Sequence, residues 1–401
     1  MMRRGSRRAW HHTSLWQPRQ PAFWLFAVIV GLTGIVAVAE QSFIRDVSPG
    51  GWALSWFLLA LYGLPVALVV YLLDLYEREP APLLVAAFLW GAVAATTLSS
   101  IGNGGWGLTV ARLAGPEFAA RWTAALTAPF VEEIVKGCGV VLVYLIARDE
   151  VDDVMDGFVY GAICGLGFAI VEDVVYFMAV FGGEPSGVLR GFWVRVVASG
   201  LYGHVLYTGL VGMAVGVVAS RRATETLGRR LGLAAGLSAL AVLAHFLWNS
   251  PLLSLFPDEP WSGGDYLFVV AATAVKGLPL LVFVAMAVVL ARRREHRWLR
   301  GALDGEVGFD GISADELRLL ESPRRRRGAR VAMRRRAGAR AAGLLHRLQR
   351  EQVNLAMIAS RVGEPHDPAL VRQRAYCASL REALRAIPGA APAAGARDGD
   401  G

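Results

Sequence analysis

Eight apolar stretches, near residues 21–39, 52–73, 82–102, 124–147, 157–181, 192–219, 231–255 and 267–291, are each long enough to cross a hydrocarbon layer as a helix. Such a layer is about 30 Å thick, and a helix rises about 1.5 Å per residue. Inside lipid a backbone amide finds no water, so each stretch must satisfy its own hydrogen bonds. The chain is thereby confined to an all-α membrane bundle of about eight transmembrane helices. Composition agrees: 55% of the 401 residues are hydrophobic and only 18% are charged, too apolar for a water-soluble chain of this length.

The formal charge of +8 is unevenly spread. Residues 292–401 hold 23 basic and 13 acidic side chains, a net +10, which leaves −2 for the first 291 residues. Positive charge confined to a tail beside an apolar body excludes nucleic acid as the partner and points to the anionic lipid of a membrane surface. The reading is therefore a cytoplasmic segment 1–20, a transmembrane domain 21–291 with its polar motifs in 124–255, and a basic cytoplasmic tail 292–401. Orientation follows from arginine counts. With the amino terminus cytoplasmic, inner segments carry Arg3, Arg4, Arg7, Arg8, Arg19, Arg78, Arg148, Arg221, Arg222, Arg229 and Arg230, against Arg45, Arg112, Arg121, Arg190 and Arg195 outside. That bias puts both termini inside a plasma (inner) membrane. In the tail, Ser313-Ala314-Asp315-Glu316 reads as a helix start, Leu344, Leu345, Leu348, Leu355 and Ile358 recur at helical spacing, and the end is rich in Pro, Gly and Ala. Short amphipathic helices and a disordered terminus are expected there. Cys138, Cys164 and Cys377 form neither a disulfide framework nor a metal motif.

An ionisable side chain at membrane depth costs several kcal/mol and marks a candidate site. The set here is Glu132, Glu133 and Lys136 in the fourth stretch, Glu172 and Asp173 in the fifth, His204 in the sixth, His245 in the seventh and Lys276 in the eighth. Counted from the outer ends of their stretches, the two glutamates of the fourth lie ~12 Å deep, Glu172 ~14 Å, His204 ~18 Å and His245 ~8 to 15 Å. Four helices thus contribute carboxylates and imidazoles to one layer in the outer half of the bilayer. Taken alone, Glu132 with Lys136 reads equally as a structural clamp, and a lone histidine as a core residue. Convergence on one depth is what favours a site. Asp173 and Lys276 lack that support and read as structural.

Spacing adds detail. Lys136 is i+4 from Glu132 and i+3 from Glu133, so its ammonium reaches either and leaves the other free. His245 and Asn249 share a face, as do His204 and Thr208. Gly157, Gly161 and Gly165 recur every fourth residue and allow close helix packing. Glu132, Glu133 and Glu172 against Lys136 sum to −2, which a divalent cation such as zinc would neutralise. Glu172, His204 and His245 are the expected ligands, with Glu133 as general base. Without metal, the same groups can activate water, with His245 and Asn249 donating to the oxyanion. Both routes are hydrolytic.

Glu-Glu-Ile-Val-Lys (132–136), Asp-Gly-Phe-Val-Tyr-Gly with Gly-Leu-Gly-Phe-Ala-Ile-Val-Glu (156–172), His204 and His-Phe-Leu-Trp-Asn (245–249) resemble the motifs of the PrsW family of intramembrane proteases. That family is similar in turn to the CAAX-processing and bacteriocin-immunity membrane proteases. The resemblance covers about residues 80–255 and leaves the tail outside. It implies hydrolysis of a peptide bond in a membrane-tethered protein or peptide, an anti-sigma factor for some relatives. By motif, Glu132 and Glu133 are the paired acids, Lys136 their partner, Glu172 the acid one turn after Phe168, and His204 and His245 the imidazoles. The CAAX-type relatives carry His where Glu172 stands and are explained by a metal-free glutamate mechanism, so both routes stay open. The expectation is an intramembrane endopeptidase. Rival readings are a proton- or ion-coupled transporter, which would show inverted repeats that are not evident here, and a non-catalytic scaffold acting through the tail.

Overall fold

The computed structural model describes residues 15–73, 79–148, 150–151, 153–198, 203–220, 225–251, 263–309, 311–362 and 364–390. Arg3, Arg4, Arg7, Arg8, Arg78, Arg221 and Arg222, which weigh in the orientation argument, lie outside the described residues, as does the Pro, Gly and Ala-rich end. Twelve helices are seen among the described residues: α1 (Pro21–Val47), α2 (Pro49–Leu73), α3 (Ala81–Ala114), α4 (Pro116–Ile146), α5 (Val154–Ala179), α6 (Pro185–Phe192), α7 (His204–Ala219), α8 (Leu227–Asn249), α9 (Gly263–Asp304), α10 (Ala314–Leu320), α11 (Pro323–Arg361) and α12 (Pro368–Arg385). The chain divides into two compact units, Met1–Val288 and Val289–Gly401. It is a polytopic helical membrane protein.

Six helices, α1, α2, α3, α5, α8 and α9, have the length and hydropathy to cross a membrane. The fourth expected span is the 31-residue α4, which carries Glu132, Glu133 and Lys136 along its length. The sixth differs from expectation. Instead of one helix over 192–219, a π-helical segment Trp193–Ala198 follows α6, and α7 begins at His204 with Gly203 as its N-cap. At 16 residues, α7 is ~24 Å long, short of a full crossing. A window of hydropathy cannot see such a restart, because the residues on both sides are apolar.

α5 is the core of the first unit. Its most apolar window is 89% buried, whereas those of α1 and α2 are 17% buried and show Leu32, Ile35, Leu61 and Leu64 outward, as surfaces that meet lipid do. The glycine series explains how α5 is enclosed. A methyl group on Gly157, Gly161 or Gly165 would stand 2.2 Å from the carbonyl oxygen of Gly212, Thr208 or His204, so α5 and α7 pack backbone to backbone. Gly167 meets the carbonyl of Phe88 in the same manner on another face. A capping box starts α5: the Asp153 carboxylate accepts the amides of Met155 and Asp156, and Asp156 Oδ2 accepts that of Asp153. In α3 the turn Trp90–Ala95 is π-helical, and the Trp90 indole donates to the Val135 carbonyl at 2.9 Å. This ties α3 to α4 one residue before Lys136.

In the second unit the expected helix start at Ser313 is a capping box with Glu316. The helices are longer than expected. α11 has 39 residues and bends at Gly338, whose φ of 84° is in the left-handed region that glycine adopts without steric cost. Leu348 and Leu355 of the apolar stripe are buried, with Leu348 in a cluster with Cys377 and Leu380 of α12. Ion pairs join Arg374 to Glu306 at 2.6 Å and Arg381 to Glu316 at 2.7 Å.

Candidate active site

α4 presents Glu132, Glu133 and Lys136 on one face, all buried. The Lys136 ammonium is fully enclosed. It lies 2.7 Å from Glu133 Oε1, 3.5 Å from Glu132 Oε2 and 3.0 Å from His204 Nδ1, and 4.1 Å from the centre of the Phe168 ring. Glu133 is the more engaged acid. Its Oε1 also meets His245 Nδ1 at 3.0 Å, and its Oε2 accepts the Thr208 hydroxyl at 3.0 Å. Glu132 keeps one oxygen bonded, Oε1 accepting from Asn103 Nδ2 at 3.1 Å. Its Oε2 is buried and has no hydrogen-bond partner among the described residues.

Three nitrogens surround that orphan oxygen: Lys136 Nζ at 3.5 Å, His245 Nε2 at 3.8 Å and His204 Nδ1 at 3.9 Å. Hydrogen-bond chemistry assigns the protons. An ammonium only donates, so His204 Nδ1 accepts from Lys136 and its Nε2–H donates to Glu172 Oε2 at 3.0 Å. A carboxylate only accepts, so His245 Nδ1–H donates to Glu133. His204 Nδ1, which accepts from Lys136, and His245 Nε2 are thus the ring nitrogens on the side of Glu132 Oε2. The rings stand 5.0 Å apart and nearly perpendicular, and His245 stacks on Tyr207 at 4.9 Å.

Glu172 meets the ring nitrogen of His204 opposite the one that Lys136 meets. Arg195, from the π-helical segment, donates Nη2 to Glu172 Oε2 at 2.6 Å and Nε to Asp173 Oδ1, with its guanidinium 3.8 Å from the Tyr176 ring centre. Asn249 donates to the Ala124 carbonyl at 3.3 Å and makes no hydrogen bond to either glutamate among the described residues. Both Glu172 and Asn249 line the same cavity of about 870 Å³ as Glu132, His204 and His245. Sequence reasoning missed Arg195, which counted as an outside arginine although the adjacent acids Glu172 and Asp173 call for a cation. It also missed Asn103, one residue past the expected end of its span, and Tyr207, which the ring stacking brings in.

Glu132, Glu133, His204 and His245 each offer one ligand atom within 4.8 Å of the others. Two carboxylates and two imidazoles are the donor chemistry that zinc takes, and an unpartnered buried oxygen at their centre suits a cation. Glu132, Glu133, Glu172 and Asp173 against Lys136 and Arg195 leave −2, the charge a dication cancels. The residues fit a divalent metal.

An acid and imidazole centre on α4, α7 and α8, with α5 packed beside it, thus lines a cavity inside a helical membrane bundle. The model of the PrsW family intramembrane metalloproteases matches residues 79–290, just over half of the chain, and the chain belongs to that family. It is 30% identical over 170 residues to Protease PrsW of Geobacillus kaustophilus (strain HTA426), a stretch that is 42% of this chain and 63% of that relative. The match thus spans less than two thirds of the relative's length. No solved structure matches the chain.

Proposed function

We propose that the protein is an intramembrane endopeptidase that hydrolyses a peptide bond of a membrane-tethered protein, an anti-sigma factor being one such substrate. The observation that carries this reading is the orphan Glu132 Oε2, 3.5 to 3.9 Å from an ammonium and two imidazole nitrogens, at the wall of a large cavity. A transmembrane segment exposes a scissile carbonyl only where its helix is locally unwound, and polar cavity walls tolerate such backbone.

Glu132 is the general base in place of the expected Glu133, because Glu133 has both oxygens engaged and Glu132 has one free. Glu132 Oε2 takes a proton from water as the water oxygen bonds to the carbonyl carbon. The same proton then passes to the amide nitrogen as the C–N bond breaks. General base catalysis of this kind contributes ~10²- to 10⁴-fold. The Lys136 ammonium supplies fixed positive charge beside the developing oxyanion. Glu132, Glu133, His204 and His245 together would hold a divalent metal, zinc by donor type, which would polarise the carbonyl and acidify the water, and the base role of Glu132 belongs to the route without it. Glu172 in this arrangement orients His204 instead of ligating.

The arginine bias supports a plasma-membrane location with both termini cytoplasmic and the site in the outer half of the bilayer. The exposed arginines of α11 suit anionic lipid. The test is Glu132→Gln, which preserves volume. Cleavage, read as new N-termini by mass spectrometry, is expected to fall at least ~10²-fold with unchanged thermal unfolding. Full activity in Glu132→Gln and in His245→Ala would reject the reading.

A further inference from the structure

The same cavity wall carries a second lysine that the hydrolytic scheme does not use. Lys276 of α9 lines the cavity together with Glu132, His204 and His245. Its ammonium is half-buried, donates to the Trp248 carbonyl at 3.2 Å and lies 5.7 Å from the Trp248 ring centre. Among the described residues it makes no ion pair, unlike Lys136 and Arg195, each of which holds two carboxylates. Arg121, on the α4 turn before Ala124, also lines the cavity, is exposed and has no acid partner among the described residues. Asn249 bonds the Ala124 carbonyl and is the neighbour of Trp248, so the segments that carry the two cations, α9 through Trp248 and α4 through Ala124, both meet the end of α8. Glu40 also lines the cavity and forms no ion pair with either among the described residues.

A half-desolvated ammonium with a single carbonyl partner has donors to spare and a net charge to satisfy, and a carboxylate is the group that does both. Trp248 follows His245 by one helical turn, ~5 Å along α8, which corresponds to roughly two residues of extended peptide. We propose that Lys276 is a specificity residue that binds an acidic side chain of the substrate within about three positions of the cleaved bond, with Arg121 attracting the same acid at the mouth. This deepens the endopeptidase reading and rests on it. It also replaces the structural role that the sequence suggests for Lys276.

The experiment compares the full chain with Glu132→Gln, Lys276→Met, Lys276→Glu and Lys276→Arg, expressed in a bacterial host whose membrane fraction is scanned for new N-termini. Cuts made by the parent and absent from Glu132→Gln are expected to show Asp or Glu enriched about tenfold or more at one fixed position. Lys276→Arg keeps that enrichment, Lys276→Met loses it, and Lys276→Glu replaces it with Lys or Arg. Glu132-dependent cuts without an acidic preference, or with one that persists in Lys276→Met, would overturn the proposal and leave the endopeptidase reading standing. If no cut depends on Glu132, the endopeptidase reading fails and this inference with it.

Discussion

The Lys136 ammonium and the Nδ1 atom of His204 lie 3.0 Å apart, and this contact sets the proton of the imidazole on the far nitrogen, where Glu172 accepts it. Glu172 is held in turn by Arg195. The chain Arg195, Glu172, His204 has the form of an orienting relay, in which the outer carboxylate fixes tautomer and ring angle. Glu172→Gln is expected to lower cleavage ~10- to 100-fold while the purified protein still loads metal at saturation. His245→Ala, by contrast, should lose the metal. Metal analysis beside a cleavage assay checks both, and loss of metal from Glu172→Gln would restore Glu172 to the ligand set.

Lys136 and a divalent metal compete for the same carboxylates, since the ammonium is 2.7 Å from Glu133 and 3.5 Å from Glu132. Lys136→Gln removes the positive charge and leaves both acids buried. The metal-free variant is expected to lose ~3 to 5 kcal/mol of stability, the usual cost of stranding a buried charge. Its zinc affinity should rise at least ~10-fold, because repulsion between cations ~4 Å apart is several kcal/mol even in a polarisable interior. Thermal unfolding with and without zinc measures both effects, and an unchanged zinc affinity would show that the ammonium does not share the site.

Gly165 sets where His204 begins its helix. A methyl group there would stand 2.2 Å from the His204 carbonyl oxygen, and backbone cannot yield as a side chain does. Gly165→Ala is expected to cost ~1 to 3 kcal/mol by overpacking and to reduce cleavage by moving the imidazole. Gly232→Ala on α8 is the control. Nothing stands within 4 Å of its added methyl, and a helical Gly to Ala change stabilises by up to ~1 kcal/mol. Unfolding temperatures of the two variants should move in opposite directions.

The bundle and the identity of its polar centre were legible because apolar length and buried charge are both written locally in the chain. Depth counting singled out Glu132, Glu133, Glu172, His204 and His245, helical spacing added Lys136, and the structure places all six around one centre. What stayed hidden depends on relations between helices. The restart at His204 leaves no mark in hydropathy beyond Gly203. Arg195 reads as a loop residue until the π-helical segment turns it onto Glu172 and Asp173. Which glutamate keeps a free oxygen is set by Thr208, Asn103 and His245, three contacts from three other helices. The apolar stripe of the tail was visible, but its burial in the second unit, partly against α12, was not, because an amphipathic pattern does not say what covers it.

The tail unit carries its own pH dependence through Glu316 and Arg381. Burial raises the Glu316 carboxyl, and the Arg381 hydrogen bonds with the Ser313 amide more than reverse this, leaving it below its usual 4.5. A carboxylate lowered in the folded state contributes stability that is fully present above about pH 4.5 and is lost as pH falls through the folded value. Amide protection over 368–385, measured by hydrogen exchange in the full chain, should therefore drop on acidification below that point. In Glu316→Gln it should start lower at neutral pH and change less. Cys377 reports on the same packing, because burial pushes its thiol up to about 12 and no part of it is exposed. At pH 8 it should resist alkylation in the folded chain and react once the unit is unfolded, and rapid labelling of the native protein would show that α11 and α12 do not enclose it.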